Sequence, residues 1–434
     1  MDTRQVQAQI AQGEWDDVFR YLYGRRAEEQ RQRYCRTLES FEERFGSGRQ
    51  IRLFSAPGRS ELGGNHTDHQ HGRVLEAGVD LDVVAVAAKS DQPVIRIQSE
   101  GYAMDVVDLR DLSPQQRESN HAASLIRGVA ARFQQLGYPI GGFDAYTTSN
   151  VLKGSGLSSS AAFETVIGAM LNHLYAQGQV DPVTIAQIGQ YAENVYFGKP
   201  SGLSDQTACS VGGCTFIDFA DPQHPLVERV DFDFARCGYQ LCVVDTGGSH
   251  ADLTEDYAAA PQEMRAVAAA LGKQVLREVE PQVFYEALPR LRGQCTDRAL
   301  LRAFHFFGDN DRVPRQAAAL RAGDFETFRR LVIESGRSSY MYLQNVYTCQ
   351  NPAEQGLSLA LAMSERLLQD RGAWRVHGGG FAGTIQAFVP QDLLEEYRTA
   401  MEAVFGEGSC HLLSVRPVGG VEVTPQLGRP SNGD

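Results

Sequence analysis

The chain lacks any long apolar run, which argues against a membrane-crossing helix. No stretch of about 18 consecutive apolar residues, the length that a membrane-crossing helix needs, occurs in its sequence. The first segment, MDTRQVQAQIAQGEWDD, is polar and acidic and has no apolar core of the kind found in a secretory signal. We therefore expect a protein without a membrane partner, located in the cytoplasm.

Closely paired cysteines are also missing. The eight cysteines are scattered, and the two closest pairs lack the CxxC spacing of a zinc site. A chain of this length does not need disulfides to hold its core together. The pattern therefore indicates reduced thiols and no structural zinc. The cysteines are Cys35, Cys209, Cys214, Cys237, Cys242, Cys295, Cys349 and Cys410.

Positive charge is in deficit. Lysine and arginine together number 41 against 54 aspartates and glutamates, which gives a formal net charge of −13. A field of this sign repels nucleic acid and anionic membranes, so we expect small-molecule partners and no nucleic acid. Any phosphate group must then be held by local contacts. The sequence leaves the oligomeric state open, with a monomer favoured.

The length and the residue pattern predict an α+β protein of two lobes. A chain of 434 residues is too long for one ordinary core. Residues 1–50 have helical spacing, whereas AGVDLDVVAVAAKS and YQLCVVDTG read as strands. A further helix is predicted in DPVTIAQIGQYAENVYFG, with Asp181 or Thr184 as its cap. Strands and helices mix without a strict βαβ rhythm, which indicates the α+β class.

The stretch LKGSGLSSSAAFE, residues 152–164, carries the strongest chemical signal. Its glycines let the backbone approach a ligand closely, and three serines follow where a helix is predicted to begin. A helix N-terminus offers unpaired N–H groups and a positive dipole end, which together bind an anion. The alternative is an ordinary serine-capped helix, and the stretch is neither a Walker A loop nor a GxGxxG fingerprint. The predicted phosphate-binding residues are Gly154, Ser155, Gly156, Leu157, Ser158, Ser159, Ser160 and Ala161.

The stretch GRSELGGNHTDHQHG, residues 58–72, contains three histidines and one aspartate within six residues. Imidazole and carboxylate groups are competent metal ligands, so a metal site is one interpretation. Hydrogen bonding to the hydroxyl groups of a ligand is a second interpretation, and a solvated loop is a third. The residues alone leave the three interpretations open.

Four stretches together resemble the galactokinases, a family of the GHMP kinase superfamily. GRSELGGNHTDHQHG is similar to the galactokinase signature, GSGLSSSAA to the phosphate loop of the family, PSGLSDQTACSVGG to a segment with an Asp-Gln pair, and HGGGFAGT to the C-terminal glycine motif. The resemblance implies a two-lobed GHMP kinase fold with the active-site cleft between the lobes. It places a sugar- and phosphate-binding lobe at residues 1–205 and a second lobe at 206–434, with the last strand returning to the first lobe.

The resemblance also implies a sugar-1-kinase, which transfers the γ-phosphoryl group of ATP to galactose by positioning and charge neutralisation. Asp205 and Arg59 are implied as the catalytic pair. Mg²⁺, the expected cofactor beside the co-substrate ATP, is assigned to Ser160 and Glu193. By the same resemblance the histidine-rich stretch is part of a sugar pocket rather than a metal site. The residues implied for substrate binding are Asn65, His66, Asp68, Gly202 and Tyr257.

One departure from the family puts the sugar in question. Asn65 stands where the family has a glutamate directed toward the C6 hydroxyl of galactose. An amide still donates and accepts hydrogen bonds, but it does not repel a C6 carboxylate. Two like charges about 4 Å apart repel each other by about 4 kcal/mol at an effective dielectric constant of about 20. The resemblance implies galactose, and the alternative is a C6-modified galactose such as galacturonate. The cation that a uronate requires would come from His69, His71 or Arg73.

Two other functions compete with a galactose kinase. Galactokinase-like proteins also act as non-catalytic sugar sensors, in which a damaged phosphate loop is expected. Here GSGLSSSAA, Asp205 and Arg59 are all present, which favours an enzyme. Other GHMP kinases, such as those acting on mevalonate or homoserine, lack the His-Thr-Asp signature that this chain carries at residues 66–68.

Overall fold

The computed structural model describes residues 1–152, 156–199, 201–234, 236–248 and 253–429. Within these residues the chain forms α-helices, short 3₁₀ and π turns, and two β-sheets. The strands are β1 (Arg52–Gly63), β2 (Arg73–Lys89), β3 (Val94–Ser99), β4 (Asp105–Asp108), β5 (Phe143–Ser149), β6 (Cys214–Asp218), β7 (Leu226–Arg229), β8 (Tyr239–Asp245), β9 (Ala373–Val376), β10 (Thr384–Pro390), β11 (Cys410–Leu413) and β12 (Val421–Val423). The helices are α1 (Thr3–Ala11), α2 (Asp16–Tyr23), α3 (Ala27–Phe45), α4 (Ala122–Gln135), α5 (Ser159–Tyr175), α6 (Pro182–Tyr191), α7 (Ser204–Val211), α8 (Thr254–Ala270), α9 (Pro281–Leu291), α10 (Asp297–Arg321), α11 (Phe325–Ser338), α12 (Gly356–Leu368) and α13 (Leu394–Phe405).

The first sheet is built on the long antiparallel pair of β1 and β2. Its strand order is β12-β1-β2-β5-β3-β4, and β6 and β7 extend it from the first part of β2. Only the contact between β3 and β5 is parallel among the described strands of this sheet. The register of β1 against β2 shifts between Pro57 and Arg59. Such an irregularity turns a side chain away from the regular alternation of a strand.

Both faces of the first sheet are covered, as the apolar sequence of β2 predicts. Alternate residues of a strand point to opposite faces. Val84 and Val86 accordingly pack against α1, α2 and α3, whereas Val83 and Ala85 belong to the core shared with α4, α5 and α6. The aromatic residues that α2 and α3 contribute are Phe19, Tyr23, Tyr34 and Phe41. Burial of each such side chain contributes roughly 1.5–3 kcal/mol to stability.

The second sheet has the order β11-β8-β10-β9 and lies under α11, α12 and α13. Helices α8, α9 and α10 form a separate apolar cluster, and α10 also contacts β2. The predicted α+β class is confirmed. Strands β6 and β7 follow residue 205 but pair with the first sheet, and β12 also pairs there. The boundary between the two sheets therefore does not coincide with the predicted division at 205/206. Among the helices of the described segments, none is long and apolar enough to cross a membrane.

Candidate active site

An ion pair between Arg59 and Asp205 forms the centre of the site. Arg59 lies in β1, where the register shifts, and Asp205 lies in the first turn of α7. Nε and Nη2 of Arg59 are 2.8 and 2.6 Å from Oδ1 of Asp205. The Arg59 side chain is buried, whereas 37 % of the Asp205 side chain is exposed. A ligand can therefore reach the carboxylate while the guanidinium is held behind it.

Asp205 is ionised although burial disfavours the charged form of its carboxyl group. Burial alone would raise the pKa of this carboxyl group, but the Arg59 guanidinium and the hydrogen bond donated by the Ser158 hydroxyl outweigh it. The pKa of Asp205 therefore lies below its ordinary value. An ionised carboxylate at this position can orient a hydroxyl group and accept its proton.

The N-terminus of α5 lies beside this ion pair. The Arg59 N–H donates to the Leu157 carbonyl at 3.0 Å, and its guanidinium donates to the Gly156 carbonyl. Ser158 has a left-handed backbone, with φ 59°, and its side chain contacts Asp205 instead of capping the helix. The N–H groups of the first turn have no acceptor within the helix. Together with Arg59 they can therefore bind an anion.

Six of the eight predicted phosphate-binding residues belong to this helix start. Gly156 has φ 70°, and a Cβ atom there would lie 3.1 Å from Nδ1 of His377. The glycine-rich segment that begins at His377 therefore lies against the turn. The other two predicted residues, Gly154 and Ser155, lie outside the described residues. The six are Gly156, Leu157, Ser158, Ser159, Ser160 and Ala161.

The two predicted magnesium ligands contact each other. The Ser160 hydroxyl donates to Oε1 of Glu193 at 3.1 Å. Neighbouring ligands of an octahedral Mg²⁺, each about 2.1 Å from the ion, lie about 3 Å apart, so this spacing fits. Gln206 donates to the other oxygen of Glu193 at 2.9 Å, which fixes the carboxylate. No group of three or more His, Cys, Asp or Glu residues suited to a metal occurs in the described part of the chain, so ATP phosphates and water would complete the set.

Asp68 and Gly202 lie beside Ser204, the neighbour of Asp205, and His66 precedes Asp68 in the same loop. Oδ2 of Asp68 accepts from the hydroxyl of Ser204, the neighbour of Asp205, at 3.2 Å. A Cβ atom on Gly202 would lie 1.8 Å from the same Oδ2, so any other residue there would displace the Asp68 carboxylate. Nε2 of His66 donates to the Gly379 carbonyl at 2.9 Å. Burial lowers the pKa of His66 to about 4, so its imidazole is neutral at pH 7.

Tyr257 packs against the glycine-rich segment that begins at His377. Its hydroxyl donates to the Gly380 carbonyl at 2.9 Å, and its ring meets the edge of Phe381 at a centroid distance of 5.4 Å. Burial raises the pKa of Tyr257 to about 12, so the hydroxyl is protonated at pH 7. The glycine-rich segment thus contacts both Tyr257 and His66.

The side chain of Asn65 makes its hydrogen bonds within the protein. Its Nδ2 donates to Glu61 at 3.0 Å and to the Gly378 carbonyl at 2.7 Å. Its Oδ1 accepts from Ser339 at 3.2 Å and from Asn345 at 2.8 Å. An amide has two donor hydrogens and two acceptor positions, and all four are occupied. The fully buried Asn65 has no hydrogen-bonding position left over, so the direct sugar contact predicted for it would require the loss of one of these four partners.

The histidine-rich stretch does not gather into a metal site among the described residues. Nε2 of His69 lies 3.9 Å from Oδ1 of Asp68, and the His69 side chain is 30 % exposed. His71 ends a 3₁₀ turn with φ 58°, and burial lowers the pKa of its imidazole. Within the described residues, neither histidine forms a hydrogen bond or ion pair with Arg59 or Asp205.

Two buried glutamates of the site were missed by the sequence analysis. Glu61 and Glu76 face each other across β1 and β2. Oε2 of Glu76 lies 3.4 Å from Nε of Arg59, while Glu61 pairs with the buried Arg375. Burial raises the pKa of both carboxyl groups, that of Glu76 well above its usual range. A glutamate inside the apolar run RVLEAGVDLDVVAVAAK was the available signal.

Two known family descriptions match the chain. "Galactokinase galactose-binding signature" matches residues 39–89, and "GHMP kinases N terminal domain" matches residues 124–213. The fold and the site therefore define a phosphotransferase of the GHMP kinase class, with a nucleotide as co-substrate. The galactokinase of Streptomyces coelicolor is 32 % identical over 372 residues, which are 85 % of this chain and 92 % of that relative. The chain belongs to the galactokinase family.

Solved structures show the same fold. Lactococcus lactis galactokinase complexed with galactose superposes with a TM-score of 0.77 at 24 % identity, covering 89 % of this chain and 98 % of that chain. Methanococcus jannaschii mevalonate kinase gives 0.60 at 13 % identity, covering 85 % and 98 %. The predicted GHMP kinase fold and kinase activity class are confirmed.

Proposed function

We propose that the protein transfers the γ-phosphoryl group of ATP to the anomeric hydroxyl of galactose. The observation that carries this proposal is the Arg59–Asp205 pair beside the N-terminus of α5, with Asp68 one side chain away. In the reaction the anomeric oxygen attacks the γ-phosphorus, and the bond from that phosphorus to the bridging oxygen of the β-phosphate breaks. The hydroxyl proton passes to Asp205, and ADP leaves.

The residues of the pair have separate tasks in this mechanism. Asp205, which is ionised, orients the hydroxyl and accepts its proton. Arg59, buried and fixed by Asp205 and Gly156, stabilises negative charge on the phosphoryl group in transfer. First-turn N–H groups of α5 would hold the phosphates. When bound with ATP, Mg²⁺ would neutralise phosphate charge, and Ser160 and Glu193 are the residues that would hold it.

The sugar pocket is proposed to use His66, Asp68, Gly202 and Tyr257. Asp68 accepts hydrogen bonds from sugar hydroxyls, and the neutral His66 adds one more polar contact. Gly202 offers a backbone N–H at the point where a side chain would displace Asp68. A site built on such bonds discriminates against sugars that lack the matching hydroxyl. Asn65 acts through the loop that it fixes.

A neutral sugar fits the described residues better than a uronate. Nε of Arg73, one cation named for a C6 carboxylate, lies 2.8 Å from Asp218. Burial lowers the pKa of His71, which disfavours its charged form. His69 lies beside Asp68, the carboxylate assigned to hydroxyl binding. Galacturonate therefore remains the second candidate only because position 65 has no glutamate that would repel its carboxylate.

The remaining expectations belong to the same proposal. We place the enzyme in the cytoplasm, as a monomer, with Mg²⁺ as its metal. Because β6 and β7 pair with the first sheet, we propose a first lobe that extends beyond residue 205 to Arg229, with β12 returning to it. The second lobe then begins at Tyr239 with β8.

A coupled assay of ADP release tests the function. MgATP is supplied with galactose, galacturonate, N-acetylgalactosamine or glucose, and the phosphorylated product is identified by mass and by its anomeric phosphorus signal. The expected result is turnover of galactose with release of one ADP for each galactose 1-phosphate. Turnover of galacturonate in preference to galactose would replace the substrate, and absence of turnover on all four sugars would remove the galactose 1-kinase proposal.

A further inference from the structure

Lys199 occupies a position that the mechanism above does not use. Its Nζ lies 2.9 Å from Oε1 of Glu193, and this is the same oxygen that accepts from the Ser160 hydroxyl. The ammonium group is thus connected to Ser160, in the first turn of α5, through this one shared oxygen. The lysine side chain is 58 % exposed, whereas Glu193 is buried. A cation therefore stands at the solvent side of the proposed magnesium ligands.

The local backbone explains how the lysine comes to lie there. The α6 helix ends in a π turn over Ala192–Phe197, and Gly198 follows with φ 89°. The N–H groups of Gly198 and Lys199 both donate to the Glu193 carbonyl, at 3.0 and 3.1 Å. The chain is therefore folded back so that Lys199 lies over Glu193.

The ion pair and a bound metal compete for the same oxygen. An Mg²⁺ held by Glu193 and Ser160 needs the lone pairs of Oε1, and its charge repels the ammonium group. Lysine is a point charge on a long flexible stem, and this stem is already exposed. ATP brings phosphate oxygens to the N-terminus of α5, next to Ser160, within reach of such a stem. Lysine is a suitable ligand for these oxygens.

We propose that Lys199 is a phosphate-binding residue that pairs with Glu193 before nucleotide binding and with a phosphate oxygen of ATP once the nucleotide is bound, which leaves Glu193 available to a metal. This inference rests on the proposed kinase site, but not on which sugar is the acceptor. It predicts opposite effects of Lys199 on two ligands. Lys199 attracts nucleotide phosphate and opposes a metal that binds without nucleotide.

The test compares Lys199→Met with wild type. Lys273→Met is the matched control, because the exposed side chain of Lys273 forms no hydrogen bond or ion pair with the described residues. ATP binding is measured by calorimetry with EDTA present, so that no metal contributes. Mn²⁺ binding without nucleotide is measured by electron paramagnetic resonance. In Lys199→Met we expect metal-free ATP to bind at least tenfold more weakly and Mn²⁺ to bind as tightly as in wild type or more tightly. Lys273→Met should change neither by more than twofold.

Several outcomes would overturn the inference. Unchanged ATP binding in Lys199→Met would show that the lysine only neutralises Glu193. Weaker Mn²⁺ binding in that variant would show that the lysine supports the metal site rather than competing with it. Lys199→Arg, which keeps the charge, should retain ATP binding within about threefold, and its failure to do so would count against a charge-based role. If wild type binds ATP through Lys199 but phosphorylates none of the sugars, the galactose proposal fails and this inference stands.

Discussion

At the scale of single residues, Asp205 depends on its neighbours for its charge. Burial disfavours the carboxylate, and the Arg59 guanidinium together with the Ser158 hydroxyl restores it. The same contacts leave 37 % of the side chain exposed toward a ligand. A group that is ionised, positioned and accessible meets the geometric conditions for a general base.

Replacing Asp205 by asparagine therefore removes the proton acceptor while keeping the shape of the side chain. We expect Asp205→Asn to lower kcat by about 100-fold to 10,000-fold, the usual range for loss of a general base. Galactose affinity, measured by calorimetry, should change by less than about fivefold, because Asp68 and His66 are untouched. Thermal unfolding of the variant serves as the control for folding. A kcat within threefold of wild type would show that Asp205 does not take the proton.

Arg59 and Asp205 belong to motifs of the family, so the resemblance named them as a pair, and the two side chains are in contact; their catalytic roles stay a prediction. The partners of two nearby residues did not follow from the sequence, for different reasons. Asn65 has four partners, and three of them, Ser339, Asn345 and Gly378, are distant in the chain, which a motif does not encode. Glu76 is visible in the sequence as a charge inside an apolar strand, but its partner, Arg59, follows only from the register of β1 against β2.

At the scale of elements, the start of α5 combines an unfavourable backbone with a functional contact. Ser158 has φ 59°, a conformation that costs a residue with a side chain about 1–2 kcal/mol relative to glycine. Its hydroxyl is directed to Asp205 rather than to the N–H groups of the helix. The first turn of α5 therefore keeps its donors for a ligand.

Two substitutions at Ser158 separate the backbone from the hydroxyl. Ser158→Ala and Ser158→Gly both remove the hydrogen bond to Asp205, a contact with a charged group worth about 1.5–3 kcal/mol. We expect kcat/KM for ATP to fall at least tenfold in both variants. Urea unfolding should show Ser158→Gly to be about 1 kcal/mol more stable than Ser158→Ala, because only glycine relieves the left-handed strain. Equal stability of the two variants would contradict the strain, and wild-type turnover in both would contradict the role of the hydroxyl.

Helix boundaries were predicted well where a cap is written into the sequence. Asp181 accepts from the N–H groups of Val183 and Thr184, each at 3.0 Å, and α6 begins after it as predicted. The predicted stretch also ends where the helical turns end, at Gly198, but the change from α to π geometry over Ala192–Phe197 was not predicted, because it has no residue signature of its own. That turn places Glu193 opposite Ser160, so the sequence could assign the pair only through the family.

At the scale of the whole molecule, one buried carboxylate joins segments from both ends of the chain. Asp82 in β2 accepts from Arg33 of α3 at 2.6 Å and from Arg416, near the last strand, at 2.9 Å. Tyr23 of α2 and Ser55 of β1 also donate to it. Asp82 and Arg416 are fully buried. Despite burial, the two guanidinium groups hold the pKa of Asp82 below its usual value, so the network is charged at pH 7.

Breaking this network should destabilise the protein without altering the chemistry of its site. Asp82→Asn leaves two arginines facing a neutral amide, and loss of one partner from a buried ion pair costs about 3–5 kcal/mol. We expect a loss of that size in urea unfolding at pH 7, with kcat per folded molecule within twofold of wild type. Asp144→Asn is the matched control. Asp144 is equally buried, but its partners Arg49 and Arg96 reach solvent, so they can be hydrated when the carboxylate is removed. Its loss should be less than half that of Asp82→Asn. Equal losses of stability in the two variants would mean that burial of the carboxylate alone determines the stability of this region. Burial of the arginine partners would then make no difference.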